Sequence, residues 1–172
     1  KILISNDDGY HAPGIQELAN YLAHQGHQIY VAAPERERST TSHALTLHKP
    51  LRVVDVLSHF DPAVQMAVKI NGTPSDCVKL ALNVLLKNHE IEIIVSGINR
   101  GPNLGTDVIY SGTVSAATEG VIAGKPAIAV SLASFADRHY HTASRFIGNI
   151  LENPRTYSLS RPVILNINVP PL

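Results

Sequence analysis

The chain has 172 residues, 44% of them hydrophobic and 16% charged, and its 14 Lys and Arg balance 14 Asp and Glu. That is the size and make-up of one globular domain with a core of its own. Zero net charge leaves no basic face for a nucleic-acid polymer. The single cysteine excludes an internal disulfide and suits a reducing cytosol, and no apolar run has the length of a membrane span.

Short β-branched runs alternate with helical patterns. Ile2–Ile4 reads as a first strand, and Ser5-Asn6-Asp7-Asp8-Gly9 follows it directly. Pro13-Gly14 opens a helix carrying Ile15, Leu18, Ala19 and Leu22, which Gly26 closes. Ile29–Ala32 is the next strand, followed by a polar stretch from Pro34 to His43. Leu45–Leu47, Leu51–Val54 and Met66–Ile70 are expected to be extended, the last ended by an Asn71-Gly72 turn. Thr73 is expected to cap a helix through Leu85, with Pro74 at its first position and Asp76 near its positive end.

Ile91–Val95 reads as a buried strand, and a glycine-rich loop is expected over Gly97–Gly105. A helix over Gly112–Ala123, a strand over Ala127–Leu132, a helix over Thr142–Leu151 and a strand over Val163–Val169 complete the order. Such alternation predicts a Rossmann-like, doubly wound α/β fold around a mostly parallel sheet. Lys1 in place of Met, and the ending Pro170-Pro171-Leu172, lead us to expect a longer native chain with a further carboxy-terminal piece.

Four segments carry chemistry. Asp7 and Asp8 follow the first strand, at the edge where open α/β sheets bind ligands. Adjacent like charges repel unless a cation lies between them, and oxygen donors select a hard ion such as Mg²⁺ or Mn²⁺. The alternative is an Asx turn with solvated acids. In Pro34–Ser42, hydroxyls and Arg36 or Arg38 suit a metal or a phosphate, against an exposed polar loop. In Ser96–Gly105, glycines permit close backbone approach, while Asn99 and Asn103 offer amide oxygens and donors. Ser111-Gly112-Thr113 at a helix start offers free N–H groups and hydroxyls to an anion, and Ser111 or Thr113 as a plain N-cap is compatible with that.

Other signatures fail. The chain has no G-x-G-x-x-G, P-loop, G-x-S-x-G, H-E-x-x-H or Cys/His zinc spacing. Cys77 reads as core. His11, beside the acid pair, is the candidate proton donor. A receiver-like phosphotransfer module needs an Asp after a later strand and a Lys after the final core strand. Here Ile91–Val95 ends at Ser96, and Lys125 precedes its strand. An aspartyl-phosphate phosphatase needs two aspartates separated by one residue, and these are adjacent. A non-catalytic nucleotide-binding protein is the remaining alternative.

Taken together, Ile2–Ile15, Val31–Ser39, Asn71–Val78, Val95–Gly105, Val108–Val114 and Leu165–Pro170 resemble the survival protein SurE family, in order and over the whole chain. The resemblance implies one domain over residues 1–172, a three-layer sandwich. It implies a metal-dependent 5′/3′-nucleotidase that cleaves nucleoside monophosphates, with short polyphosphate also trimmed by some members. One divalent ion, Mg²⁺ or Mn²⁺, would be held by Asp7, Asp8, Ser39 and Asn99. Asn103, Ser111, Gly112 and Thr113 match the phosphate pocket, and Asp7, Asp8, His11 and Asn103 form the expected catalytic set. A cytoplasmic homodimer or homotetramer, built partly by a carboxy-terminal extension, is the expected form.

Overall fold

The computed structural model describes residues 1–39, 42–136, 139–157 and 163–171, so Thr40 and Thr41 of the hydroxyl-rich loop lie outside the described residues. Seven strands form one sheet in the order β3-β4-β2-β1-β5-β6-β7. They are β1 (Ile2–Ser5), β2 (Ile29–Pro34), β3 (Val53–Asp55), β4 (Met66–Ile70), β5 (Ile93–Arg100), β6 (Ala127–Leu132) and β7 (Ile164–Val169). All neighbours pair in parallel except β3, a short exposed edge strand antiparallel to β4.

Side-chain alternation on the strands feeds two cores. Ile2, Ile4, Ile93 and Val95 join Ile15 and Leu18 of α1 (Pro13–His24) and Ile147 of α5 (His141–Leu151). Leu3 and Ile94 join Cys77 and Val78 of α2 (Pro74–Leu80) and Ala116 and Ala117 of α4 (Gly112–Ile122) on the other face. A three-layer, doubly wound α/β sandwich results, as the alternation predicts. Cys77 is fully buried and burial pushes its thiol well up, so it is a core residue. No helix among the described residues is long and apolar enough to cross a membrane.

Four local expectations change. Leu45–Leu47 forms no strand, and the first strand after the polar loop is Val53–Asp55. The helix expected to reach Leu85 ends at Leu80 and continues as one π turn over Ala81–Leu85, where the N–H of Leu86 reaches the carbonyl of Ala81 at 2.8 Å. β5 starts at Ile93 and runs on to Arg100, through half of the expected loop. A glycine makes that extension possible, because a methyl on Gly97 would lie 2.3 Å from the carbonyl oxygen of Val130 on β6. The short helix α3 (Asp107–Tyr110) gives no clear signal in four residues.

A polar strap explains why 44–47 is not a strand. The backbone N–H and hydroxyl of Thr46 donate to the Asp76 carboxylate at 2.9 and 2.6 Å, and the Thr73 hydroxyl donates to the carbonyl of Ala44 at 2.7 Å. Asp76 also completes a capping box with Thr73. Burial pushes the Asp76 carboxyl up, but the bonds from Thr46 and Thr73 outweigh it and hold the group below the usual 3.8. Its contribution to stability is therefore complete near neutral pH and is lost as pH falls through that lowered value. Asp76→Ala is expected to cost about 1–2 kcal/mol, or roughly 2–8 °C in Tm. Thermal melts from about pH 7 down to about pH 3 should show the wild-type and D76A curves converging in acid.

Candidate active site at the carboxyl edge of the sheet

Chain order reverses across β1: β2 lies on one side and β5 on the other. That switch point opens a crevice beyond the carboxyl ends of β1 and β5. Asp7 and Asp8 leave β1 into it and Asn99 arrives on β5. The cavity there has a volume of about 670 Å³, and its wall includes Asp7, Asp8, Ser39, Asn99, Asn103 and Ser111. Six of the nine residues singled out in the sequence thus share one cavity.

Each is held by identifiable contacts. Asp7 is buried, and both the hydroxyl and the backbone N–H of Thr113 donate to its carboxylate, the hydroxyl at 2.5 Å. The carbonyl of Asp7 accepts from the N–H of Arg38 at 2.7 Å, which brings the Ser39 loop alongside. Asp8 accepts from the N–H of Arg100 at 3.3 Å. Asn99 donates its side-chain N–H to the carbonyl of Gly101 at 2.9 Å, so its amide oxygen is the atom suited to a cation. Ser39 donates its hydroxyl hydrogen to Glu37, which leaves the oxygen lone pairs as the acceptor side.

The amino end of α4 meets an anion, but the anion is Asp7. Thr113 is spent on that carboxylate, and Ser111 caps the helix by accepting from the N–H of Val114 at 3.2 Å. Gly112 is required by the approach, because a methyl there would lie 2.6 Å from the Asp7 Cβ. Gly112 and Thr113 therefore stand behind the cavity wall, and Ser111 stands on it. His11 is exposed and packs edge-on against Tyr10, with ring centroids 5.5 Å apart. It is not on the cavity wall with the acid pair.

Several wall residues escaped the sequence reading. Glu37 adds a third carboxylate, Asp107 a fourth, and Arg100 the cation. Tyr110 and Phe135 form an exposed apolar flank, 60% and 68% accessible. Glu37 was within reach of sequence reasoning, two residues before Ser39. Asp107 and Tyr110 depend on α3. Farther back, the buried carboxylate of Glu119 on α4 lies 2.7 Å from His43 Nε2 and 3.5 Å from Lys79 Nζ. That contact ties the Ser39 loop to the helix whose amino end holds Asp7.

The charge balance decides what the site can hold. Burial, opposed by the Thr113 bonds, raises the Asp7 carboxyl above its ordinary value. Burial and then the Asp7 charge push Asp8 up to about 6. Four carboxylates face one guanidinium, so an anionic ligand is repelled unless a cation enters with it. Among the described residues no three His, Cys, Asp or Glu side chains group as a metal cluster. The donor set is instead two carboxylates with the neutral oxygens of Ser39 and Asn99, which fits a hard divalent cation.

The family model described as survival protein SurE matches residues 2–172. The chain belongs to the SurE family. A relative from Synechococcus elongatus, named 5′-nucleotidase SurE, is 55% identical over all of this chain and 66% of its own length. One of the same name from Crocosphaera subtropica is 53% identical over 99% of this chain and 61% of its own. The crystal structure of the SurE protein from Aquifex aeolicus superposes with a TM-score of 0.87 at 35% identity, covering 99% of this chain and 66% of that one. The chain thus spans about two thirds or less of the length of these SurE relatives.

A crowded acid pair costs the metal-free fold stability. Asp8 binds a proton more tightly folded than unfolded, so its cost is full above about pH 6 and is relieved as pH falls from there toward 3.8. Asp8→Asn is expected to raise the Tm of the chelator-treated protein at neutral pH. The gain should be about 1–2 kcal/mol after allowance for solvent screening, or roughly 2–8 °C. The gap should close as the buffer is acidified.

Proposed function

We propose that this SurE chain is a phosphomonoesterase that hydrolyses nucleoside 5′- and 3′-monophosphates to nucleoside and phosphate, with one Mg²⁺ or Mn²⁺ held by Asp7, Asp8, Ser39 and Asn99. The observation that carries the reading is the acid pair at the switch point, with two neutral oxygen donors on the same wall. The relatives' name, 5′-nucleotidase SurE, supports it.

The chain's own residues divide the work. Thr113 fixes the Asp7 carboxylate from behind, and the N–H of Arg100 fixes Asp8. Asn103 and Ser111 face the phosphoryl group, and the Arg100 guanidinium offsets part of its charge. Tyr110 and Phe135 give the nucleoside an apolar flank, which inorganic phosphate alone does not need. A water oxygen forms the new P–O bond as the ester P–O bond breaks in line, and a proton given up by that water ends on the departing ester oxygen, leaving nucleoside and inorganic phosphate. The cation, when bound, supplies charge neutralisation at the phosphoryl oxygens and acidifies water.

The receiver-like alternative loses support. Its lysine belongs beside the acids, whereas Lys125 precedes β6, at the opposite edge of the sheet. We further propose a cytoplasmic homo-oligomer and short polyphosphate as a second substrate.

Phosphate release from a panel of nucleoside 5′- and 3′-monophosphates and from short polyphosphate tests the whole reading. Turnover is expected with Mg²⁺ or Mn²⁺ and none with EDTA. Asp8→Asn should lose at least about 10²–10³-fold in kcat/KM while folding at least as well as wild type. Full turnover in EDTA or in D8N would reject it. Nucleotide binding without phosphate release would favour a non-catalytic binding protein.

A further inference from the structure

We infer that Asn166 and Asn168 of β7 are positioning residues that clamp Asn103 onto the cavity wall, giving the 165–170 segment a task in the reaction. The inference rests on the reading of Asn103 as a phosphate-pocket residue.

Asparagine is depleted in strands, and β7 spends two on one face. Leu165, Ile167 and Val169 turn into the core shared with α1 and α5, so Asn166 and Asn168 share the opposite face. Both reach the same residue. Asn168 Oδ1 accepts from the backbone N–H of Asn103 at 2.8 Å, and Asn168 Nδ2 donates to its carbonyl at 3.1 Å. Asn166 Nδ2 donates to that carbonyl at 2.9 Å. From β6, the Ser131 hydroxyl oxygen accepts from Asn103 Nδ2 at 2.9 Å.

Four bonds from two strands therefore fix both backbone polar groups of Asn103 and one hydrogen of its amide. One amide hydrogen and the amide oxygen are left for a ligand. The strand register ties this clamp to the acid pair. Asn99 pairs with Ser131, and Ser131 pairs with Asn168, so one row across three parallel strands joins the candidate metal ligand to the clamp. Asn168 is two strand spacings, about 10 Å, from Asn99. Asn103 is only 7% exposed, and its loop lies over the ends of β6 and β7, where the N–H of Gly101 also donates to the carbonyl of Leu132 at 3.0 Å. Because Asn168 both donates and accepts, an aspartate there can keep the bond to the N–H but not the one to the carbonyl.

The test uses the purified protein with Mn²⁺ and a nucleoside monophosphate. It compares Asn103→Ala, Asn166→Ala, Asn168→Ala, Asn168→Asp and the double variant N103A/N168A, with Tm recorded for each. Amide hydrogen exchange at Asn103 is followed in parallel. Asn168→Ala is expected to lower kcat about 10–100-fold with only a modest fall in Tm, the protein staying folded at the assay temperature, and with KM moving less than kcat. Asn168→Asp should fall between it and wild type, and Asn166→Ala should lose less than Asn168→Ala. Exchange at the Asn103 N–H should quicken in N168A, and N168A should add little to N103A. Normal turnover in both N166A and N168A beside a crippled N103A would overturn the clamp alone, as would losses that multiply in the double variant. Normal turnover in N103A would overturn the reading of Asn103, and the clamp with it. Should N168A fail to fold, N166A and N168D carry the same comparison.

Discussion

Two carboxylate charges crowded at the end of β1 are the constraint around which the carboxyl edge of the sheet is arranged. The Arg100 charge draws Asp8 down only slightly against burial and the neighbouring Asp7 charge. Asp7 is buried and bonded from behind by Thr113, while Asp8 takes a single backbone N–H. Burial and mutual repulsion make this arrangement costly for the chain alone. Proteins carry such local costs where function needs them and offset them elsewhere. Here the offset lies in the two apolar layers beneath the site.

Around that pair, each neighbouring element contributes one kind of support. The amino end of α4 comes within contact of Asp7 because position 112 has no side chain. The β2–β3 connection brings Ser39 alongside, and its continuation is bound to α2 by Thr46 and Ala44 and to α4 by His43. β5 brings Asn99, and β6 and β7 hold the loop that carries Asn103. Donors that are distant in sequence are thus fixed by backbone and side-chain bonds to rigid elements, the condition for a preorganised site.

Much of this was legible in the residues themselves. The periodicities that fed the two cores, the Thr73-Pro74 helix start and the Asp7-Asp8 placement after the first strand all came through, because each is a local signal. Features that depend on tertiary approach did not. The hydroxyl of Thr113 reads equally as a cap, a phosphate donor or a carboxylate partner until α4 meets β1. Leu45–Leu47 alternates like a strand, yet the bonds of Thr46 to Asp76 give its backbone another partner. Gly97 reads as loop, but its bare Cα is what allows β5 to continue beside Val130. His11 lies near the acids in sequence and turns toward Tyr10 in space. The Asn166–Asn168 pair shows only as a motif, and its role depends on a register across three strands.

The pairing of β1 with β5 carries a consequence for how the protein acquires its activity. Ile2 lies opposite Ile93 and Ser5 opposite Ser96, so the acid pair meets Asn99 only after two segments far apart in the sequence have paired. Contacts of such high sequence separation pay their loop-closure entropy before they are rewarded, and they form slowly. No early hairpin or isolated helix pair of this topology can bring those donors together. A nascent chain that has not yet delivered β5 therefore has no competent site to offer.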